Sequence, residues 1–172
     1  MEIVRRQTKP LMIGKVQVGG GAPIAVQSMT NTDTMDSTAT INQINMLASA
    51  GCEIVRVAVP DQAAAAELPV ILRNVTIPVI ADIHFDYRLA LAAIEAGVHG
   101  LRINPGNIGG RAKVTEVAAA AKDRGIPIRV GVNAGSLEKH LLAKYGGVTA
   151  AAMVESALNH IRMLEECNFT DI

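Results

Sequence analysis

Tryptophan is absent from the sequence, and phenylalanine and tyrosine supply two residues each, Phe85, Phe169, Tyr87 and Tyr145. So few rings exclude the aromatic platforms on which single-stranded nucleic acids stack. Excess charge of either sign is also lacking, because 16 basic residues meet 16 acidic ones for a formal net charge of +0 at pH 7. Without a basic field, neither DNA nor RNA is an expected partner. Long apolar runs are missing too: charges, Gly or Pro interrupt every stretch before the about 18 residues that a spanning helix needs. No membrane partner is expected. The first ten residues carry Arg5, Arg6 and Lys9, but Gly14, Lys15 and the Gly19 to Gly21 run follow where an apolar signal core would have to stand. An export signal is therefore not expected. Cysteine is scarce, and Cys52 and Cys167 lie far apart without a CxxC or CxxxH context, so they form neither a disulfide framework nor a metal site. Small buried thiols in a reducing cytoplasm are the plain reading.

What is present is enough for a core. The chain has 172 residues, 49% of them hydrophobic, and a domain of that length buries roughly 70% of its unfolded surface. One domain over residues 1–172 is expected. Leu11 to Val18 alternates and runs into three glycines, which predicts a small N-terminal hairpin. Beyond it, apolar β-branched runs at Ile24 to Ser28, Ile54 to Val59, Pro78 to His84, Gly100 to Asn104 and Pro127 to Asn133 predict strands. Between them lie helical stretches. Ser37 is read as the cap of a helix carrying Ile41, Ile44 and Leu47 and stopping at Ala50-Gly51, and further helices are expected at Gln62 to Arg73 and Asp86 to Ala96. Others are expected at Gly110 to Arg124 and Thr149 to Glu166, with a shorter turn around Leu137 to Lys144, and Pro69 is expected to break the second helix.

Strand runs this uniformly apolar belong in a parallel sheet covered by helices. The segment Ala50 to Val57 is echoed by Ala96 to Ile103, and Gly125 to Val130 repeats the theme one residue shorter. Reuse of one strand-helix unit favours an α/β fold of the parallel (β/α) TIM-type barrel class over an open doubly wound sheet. Five complete strands are visible, and Asn168 to Ile172 reads as the opening of a sixth. Because such a barrel takes about 250 residues, the expectation is a truncated one.

Strand parity then sorts the side chains. If Val55, Val57 and Val59 pack on helices, Arg56 and Ala58 face the lumen, and the same alternation sends Asp82, His84, Arg102, Asn104, Arg129 and Asn133 inward. Three guanidiniums with one visible carboxylate would each cost several kcal/mol if left unpaired in the interior. Either an anionic ligand compensates them or carboxylates from later strands do. Guanidinium forks match phosphate oxygens, and Asn104, Asn107 and Asn133 add neutral donors, so a compact phosphorylated small molecule is the expected ligand. The turn Asn104 to Gly110 leads into a helix and is either an oxyanion cradle or an ordinary Gly/Asn turn. Asp82 and His84 stand two apart at a strand end, where they orient a hydroxyl or move a proton, or form a structural pair. Gln27, within Gln27 to Thr32, lines the ligand or belongs to a turn. His99, His140 and His160 read as surface residues, and Met29 and Met46 as core filling.

Four ordered segments, Gly19 to Thr32, Pro78 to Phe85, Leu101 to Asn107 and Arg129 to Leu137, together resemble the N-terminal domain of the hydroxymethylbutenyl diphosphate synthase family. The resemblance spans nearly the whole chain. It implies a TIM-type barrel holding a cyclic diphosphate, with Arg56, Arg102 and Arg129 on the diphosphate and Asn104, Asn133, Asp82 and His84 lining the site. It also implies an oxidoreductase of the methylerythritol phosphate route to isoprenoids. In that family a [4Fe-4S] cluster, held by three cysteines and a glutamate in a C-terminal domain, faces the barrel of the partner subunit of a homodimer. Reduced ferredoxin or flavodoxin supplies its electrons. Cys52 and Cys167 match no cluster-ligand motif, so the cluster is expected outside this chain and the chain alone is expected to be inactive. Unpaired edge strands are expected to favour self-association. A pterin-binding-type synthase barrel and a non-catalytic phosphometabolite-binding module are the competing readings.

Overall fold

The computed structural model describes residues 6–172; Arg5 lies outside the described residues. The hairpin is formed by β1 (Leu11–Ile13) and β2 (Val16–Val18), paired antiparallel around Gly14, whose φ of 55° suits a residue without a β-carbon.

Five strands follow, β3 (Gln27–Met29), β4 (Ile54–Ala58), β5 (Val79–Ile83), β6 (Gly100–Ile103) and β7 (Ile128–Val130). They form one parallel sheet in the order β3-β4-β5-β6-β7. Each crossover steps to the next position without reversal. A doubly wound sheet would turn back at a switch point, so the order is that of a barrel wall.

The helices α1 (Ser37–Ser49), α2 (Gln62–Arg73), α3 (Tyr87–Ala96) and α4 (Arg111–Asp123) follow β3 to β6 in turn. They cover one face of the sheet, burying Val55, Val57 and Val79 against Ile44 and Ile71, and Ile83, Leu101 and Ile103 against residues of α2 to α4. That is the parity read from the sequence. After β7 come a single 3-10 turn (Ala134–Ser136), α5 (Lys139–Tyr145) and α6 (Ala150–Glu165).

Several boundaries differ from expectation, each for a local reason. The strand expected from Ile24 begins at Gln27, because the Val26 N–H donates to Glu53 Oε2 at 2.8 Å instead of to a strand neighbour. Asp36, not Ser37, caps α1 by accepting from Ala39 N at 2.9 Å. Pro69 does not break α2, since buried Leu68 and Ile71 on either side hold the helix to the sheet despite the missing N–H. β7 ends at Val130, although Gly131 N still donates to Ile103 O at 2.9 Å. Residues 168–172 are not a strand, yet they take a strand's place: Asn168 turns the chain at φ 57°, Phe169 enters the core, and Ile128 N donates to Asp171 O at 2.9 Å.

Candidate functional site

The polar residues gather at the C-terminal ends of β4, β5 and β6, on the face turned away from the helices. Asp82 is their centre. Its carboxylate, 4% exposed as a residue, lies 3.1 Å from Arg56 Nε through Oδ2 and accepts from Arg102 Nη1 at 3.1 Å through Oδ1. His84 Nε2 stands 3.3 Å from the same Oδ1. Strand register sets Arg102 directly beside Asp82, whereas Arg56 pairs with Ile80 and its long side chain reaches Asp82 two positions further along β5. Arg56 is steadied further by Met29 Sδ, 3.3 Å from Nε and 3.2 Å from Nη2.

Arg102 is buried because β7 carries a glycine beside it. A β-carbon placed on Gly131 would lie 2.0 Å from Arg102 Nε and 2.4 Å from its Cζ, so the guanidinium rests directly on bare backbone. With its carboxamide turned as its neighbours require, Asn133 accepts from Arg102 Nη2 at 3.3 Å and donates to Val132 O at 3.3 Å. Asn104 is fixed from both ends: its Nδ2 donates to Ser136 Oγ at 3.1 Å and its Oδ1 accepts from Gly106 N at 3.2 Å. Arg129 reaches across the lumen from the last strand to the first, where Nη1 lies 3.4 Å from Gln27 Oε1.

The structure thus joins Arg56, Asp82, His84, Arg102 and Asn133 in one cluster and ties Asn104 to the loop that carries Asn133. It corrects the expectation of three buried guanidiniums, because Arg102 is buried, Arg56 half-buried and Arg129 exposed. Arg129 extends from the edge strand β7 toward Gln27 with no strand beyond β7 to cover it among the described residues. Asn107 half-buries and donates its backbone N–H to Asn104 O at 2.9 Å, with no side-chain hydrogen bond to the arginines among the described residues. Asp82 meets Arg56 through one oxygen and Arg102 and His84 through the other, so it organises these side chains around itself.

Three guanidiniums against one carboxylate leave this face of the lumen positive. Below it, an apolar cavity of about 730 Å³ extends toward the hairpin and is bounded by Leu11, Ile13, Ile54, Ile80 and Ile128, with Gln27 and Arg129 on its wall.

Other readings change as well. Met46 is 72% exposed, so it is not core filling. His99 is half-buried, its Nδ1 accepting from Val79 N at 3.1 Å. His160 is 2% exposed and pairs with Glu138, so it is not a surface residue. Met29, Gly131, Glu138 and His160 also support the site, and none of them was assigned that part from the sequence. A glycine at a lumen-facing parity position, between Arg129 and Asn133, is the one signal that pointed to a neighbour's long side chain. Cys52 is buried and donates to Ile54 O at 3.0 Å, while Cys167 lies 3.2 Å from Thr115 Oγ1. Among the described residues, no group of three or more His, Cys, Asp or Glu stands in a metal-holding arrangement, and no helix is long and apolar enough to cross a membrane.

Residues 8–172 match the family described as the GcpE TIM-barrel domain. The chain is 63% identical over 169 residues to the 4-hydroxy-3-methylbut-2-en-1-yl diphosphate synthase (flavodoxin) of Geobacter sulfurreducens, covering 98% of this chain and 48% of that protein. It is 63% identical over 167 residues to the synthase of the same description from Maridesulfovibrio salexigens, covering 97% of this chain and 47% of that one. The chain therefore spans about half the length of the curated relatives it matches. Among solved structures, the 7,8-dihydropteroate synthase of Vibrio fischeri superposes with a TM-score of 0.66 at 10% identity, over 95% of this chain and 63% of that one. The DAHP synthase of Thermotoga maritima gives 0.65 at 11% identity, over 96% and 44%. Likeness at such identity speaks for the fold alone. The sequence match over nearly all of the chain and the sequential parallel strand order agree: the chain belongs to the GcpE TIM-barrel domain family.

Proposed function

We propose that this chain is the substrate-binding part of an oxidoreductase that reductively opens methylerythritol cyclodiphosphate to hydroxymethylbutenyl diphosphate, a precursor of isoprenoids. The observation that carries the reading is one buried carboxylate shared by two arginines, with a third arginine across the lumen. An anion of two linked phosphates supplies the missing negative charge in a compact form, and guanidinium forks bind phosphate oxygens in pairs. Relatives 63% identical over nearly all of this chain are named for making 4-hydroxy-3-methylbut-2-en-1-yl diphosphate, which supports a diphosphate at this site.

In this reading Arg56, Arg102 and Arg129 hold the diphosphate, and Asp82 keeps the first two aimed at it. Asn104 and Asn133 donate to phosphate oxygens or hydroxyls, and Gln27 and Asn107 line the rim. His84, half out of the site, faces the ring hydroxyls. Residues 1–172 are the N-terminal portion of the barrel. The described residues do not fit a [4Fe-4S] cluster: Cys52 donates to Ile54 O, Cys167 lies beside Thr115 Oγ1, and no group of three or more His, Cys, Asp or Glu gathers around either thiol among them. The cluster, a homodimeric arrangement and electron delivery from flavodoxin or ferredoxin, in a cytoplasmic setting, belong to the longer protein. This polypeptide alone binds substrate weakly and does not turn it over.

Competition binding tests the reading, with the cyclic methylerythritol diphosphate, a pterin diphosphate and simple pyrophosphate as the three ligands. Preference for the cyclic diphosphate is the expected result. Preference for the pterin diphosphate would move the chain to the pterin-binding synthases, and equal binding of all three would make it a phosphate-holding module without chemistry.

A further inference from the structure

Behind the arginine cluster lies a second polar group that the proposed binding role does not use. His160, on α6, is 2% exposed, and its Nε2 lies 2.9 Å from Glu138 Oε1. The other Glu138 oxygen accepts from the buried Ser156 Oγ at 2.8 Å, one helical turn before His160. His160 Nδ1 is buried with no hydrogen-bond partner. Two buried polar side chains tied to a half-buried carboxylate, one of them with an orphaned nitrogen, are a poor way to fill a core, since apolar side chains of the same volume would do so at lower cost.

Position explains it. A β-carbon placed on Gly106 would lie 2.6 Å from His160 Nε2 and 3.4 Å from Asn104 Oδ1, so the imidazole sits directly beneath the turn that follows β6. Glu138, its hydrogen-bond partner, lies two residues after Ser136 in the segment that follows β7. Asn104 is held by these two segments, through Gly106 N and Ser136 Oγ.

We propose that His160 is a positioning residue for Asn104: the Glu138–His160–Ser156 trio is the post that sets the spacing of the two loops gripping that carboxamide. The inference rests on the diphosphate-binding reading for its consequence and on these contacts for its geometry.

The test is a double-mutant cycle in the intact protein with two readouts. The first is the Asn104 side-chain amide resonance without ligand, identified with Asn104→Asp; the second is the affinity for inorganic pyrophosphate. Gly106→Ala drives a methyl into the imidazole and shifts the Asn104 resonance. In a His160→Ser background the same substitution has room and shifts it several-fold less. His160→Gln, which keeps a donor toward Glu138, leaves the resonance near its original position and serves if His160→Ser fails to fold. Pyrophosphate affinity falls about tenfold in Gly106→Ala, the size of one lost hydrogen bond to a charged group. An Asn104 resonance unmoved by Gly106→Ala, or moved equally with and without His160, overturns the proposal. Absence of pyrophosphate binding in the unaltered protein overturns the diphosphate reading instead, and the resonance still decides the positioning.

Discussion

Arg102 owes its place to a residue that does nothing but be small. Gly131 leaves the space in which the guanidinium lies, 2.0 Å from where a β-carbon would be. Gly131→Ala is therefore expected to expel Arg102 from Asp82, lowering stability by about 1–3 kcal/mol as overpacking does. It should also weaken diphosphate binding more than it weakens folding, which chemical denaturation and calorimetric titration of the same variant will separate. Asp82→Asn leaves two arginines without their shared counter-charge, and breaking a buried pair this way costs about 3–5 kcal/mol. Pyrophosphate should then raise the melting temperature of the variant more than that of the unaltered chain, because the ligand restores the lost negative charge. An equal rise in both would show that the ligand sits elsewhere. Burial pushes the His160 imidazole below its ordinary 6.5 despite the opposing pull of Glu138, and burial likewise lowers His99 against its bond to Val79. Below that value the unfolded chain takes up protons that the folded imidazoles refuse, so their stabilising contribution is full above 6.5 and is lost as pH falls toward their lowered folded values. Melting curves between about pH 8 and about pH 5.5 should show this decline, and His99→Gln with His160→Gln should flatten it. Glu138 acts in a lower window. Desolvation raises its pKa, but its own backbone N–H, Ser156 and His160 outweigh that and leave it below 4.5.

At the scale of elements, most of the layout was legible in the sequence. The alternation of Val55 and Val57 against Arg56, and of Leu101 and Ile103 against Arg102, marks the lumen face in the sequence itself. Boundaries were less legible where a single side chain captured a backbone group, as Glu53 does with Val26 N and Asp36 with Ala39 N. Such captures depend on residues that meet only after folding. The sharing of Asp82 between Arg56 and Arg102 is of the same kind, because parity says which face a side chain takes and not which neighbour it finds. His160 misled for a related reason: a histidine on a helix reads as exposed until the turn at Gly106 is laid over it. Pro69 shows tertiary packing overriding local preference. Its missing N–H remains a cost, so Pro69→Ala is expected to stabilise the chain by on the order of 1 kcal/mol, read as a higher denaturant midpoint. A lower midpoint would mean that the proline ring itself fills the space between helices.

At the scale of the molecule, the five strands of the sheet curve far enough in sequential order for Arg129 to reach Gln27, leaving β3 as one edge among the described residues and β7 as the other, covered only in part by residues 168–172. Ile24 and Val26, at 71% and 56% exposure, lie just before β3, and the cavity of about 730 Å³ is walled largely by apolar side chains. Edges and apolar surface of this kind invite pairing with a second copy. Light scattering on the 172-residue polypeptide produced alone is expected to show concentration-dependent association, and a stable monomer over a wide concentration range would contradict it. Incubated with a chemical reductant and the cyclic diphosphate, the same polypeptide is expected to yield no product. The central claim is that Arg56, Arg102 and Arg129 hold one diphosphate between them. Calorimetric titration of the intact protein with methylerythritol cyclodiphosphate, beside variants carrying Leu at each arginine, tests it most directly. The account predicts one saturable site, weakened by rising salt and by at least about tenfold for each arginine removed. Binding that survives loss of all three arginines unchanged would contradict it.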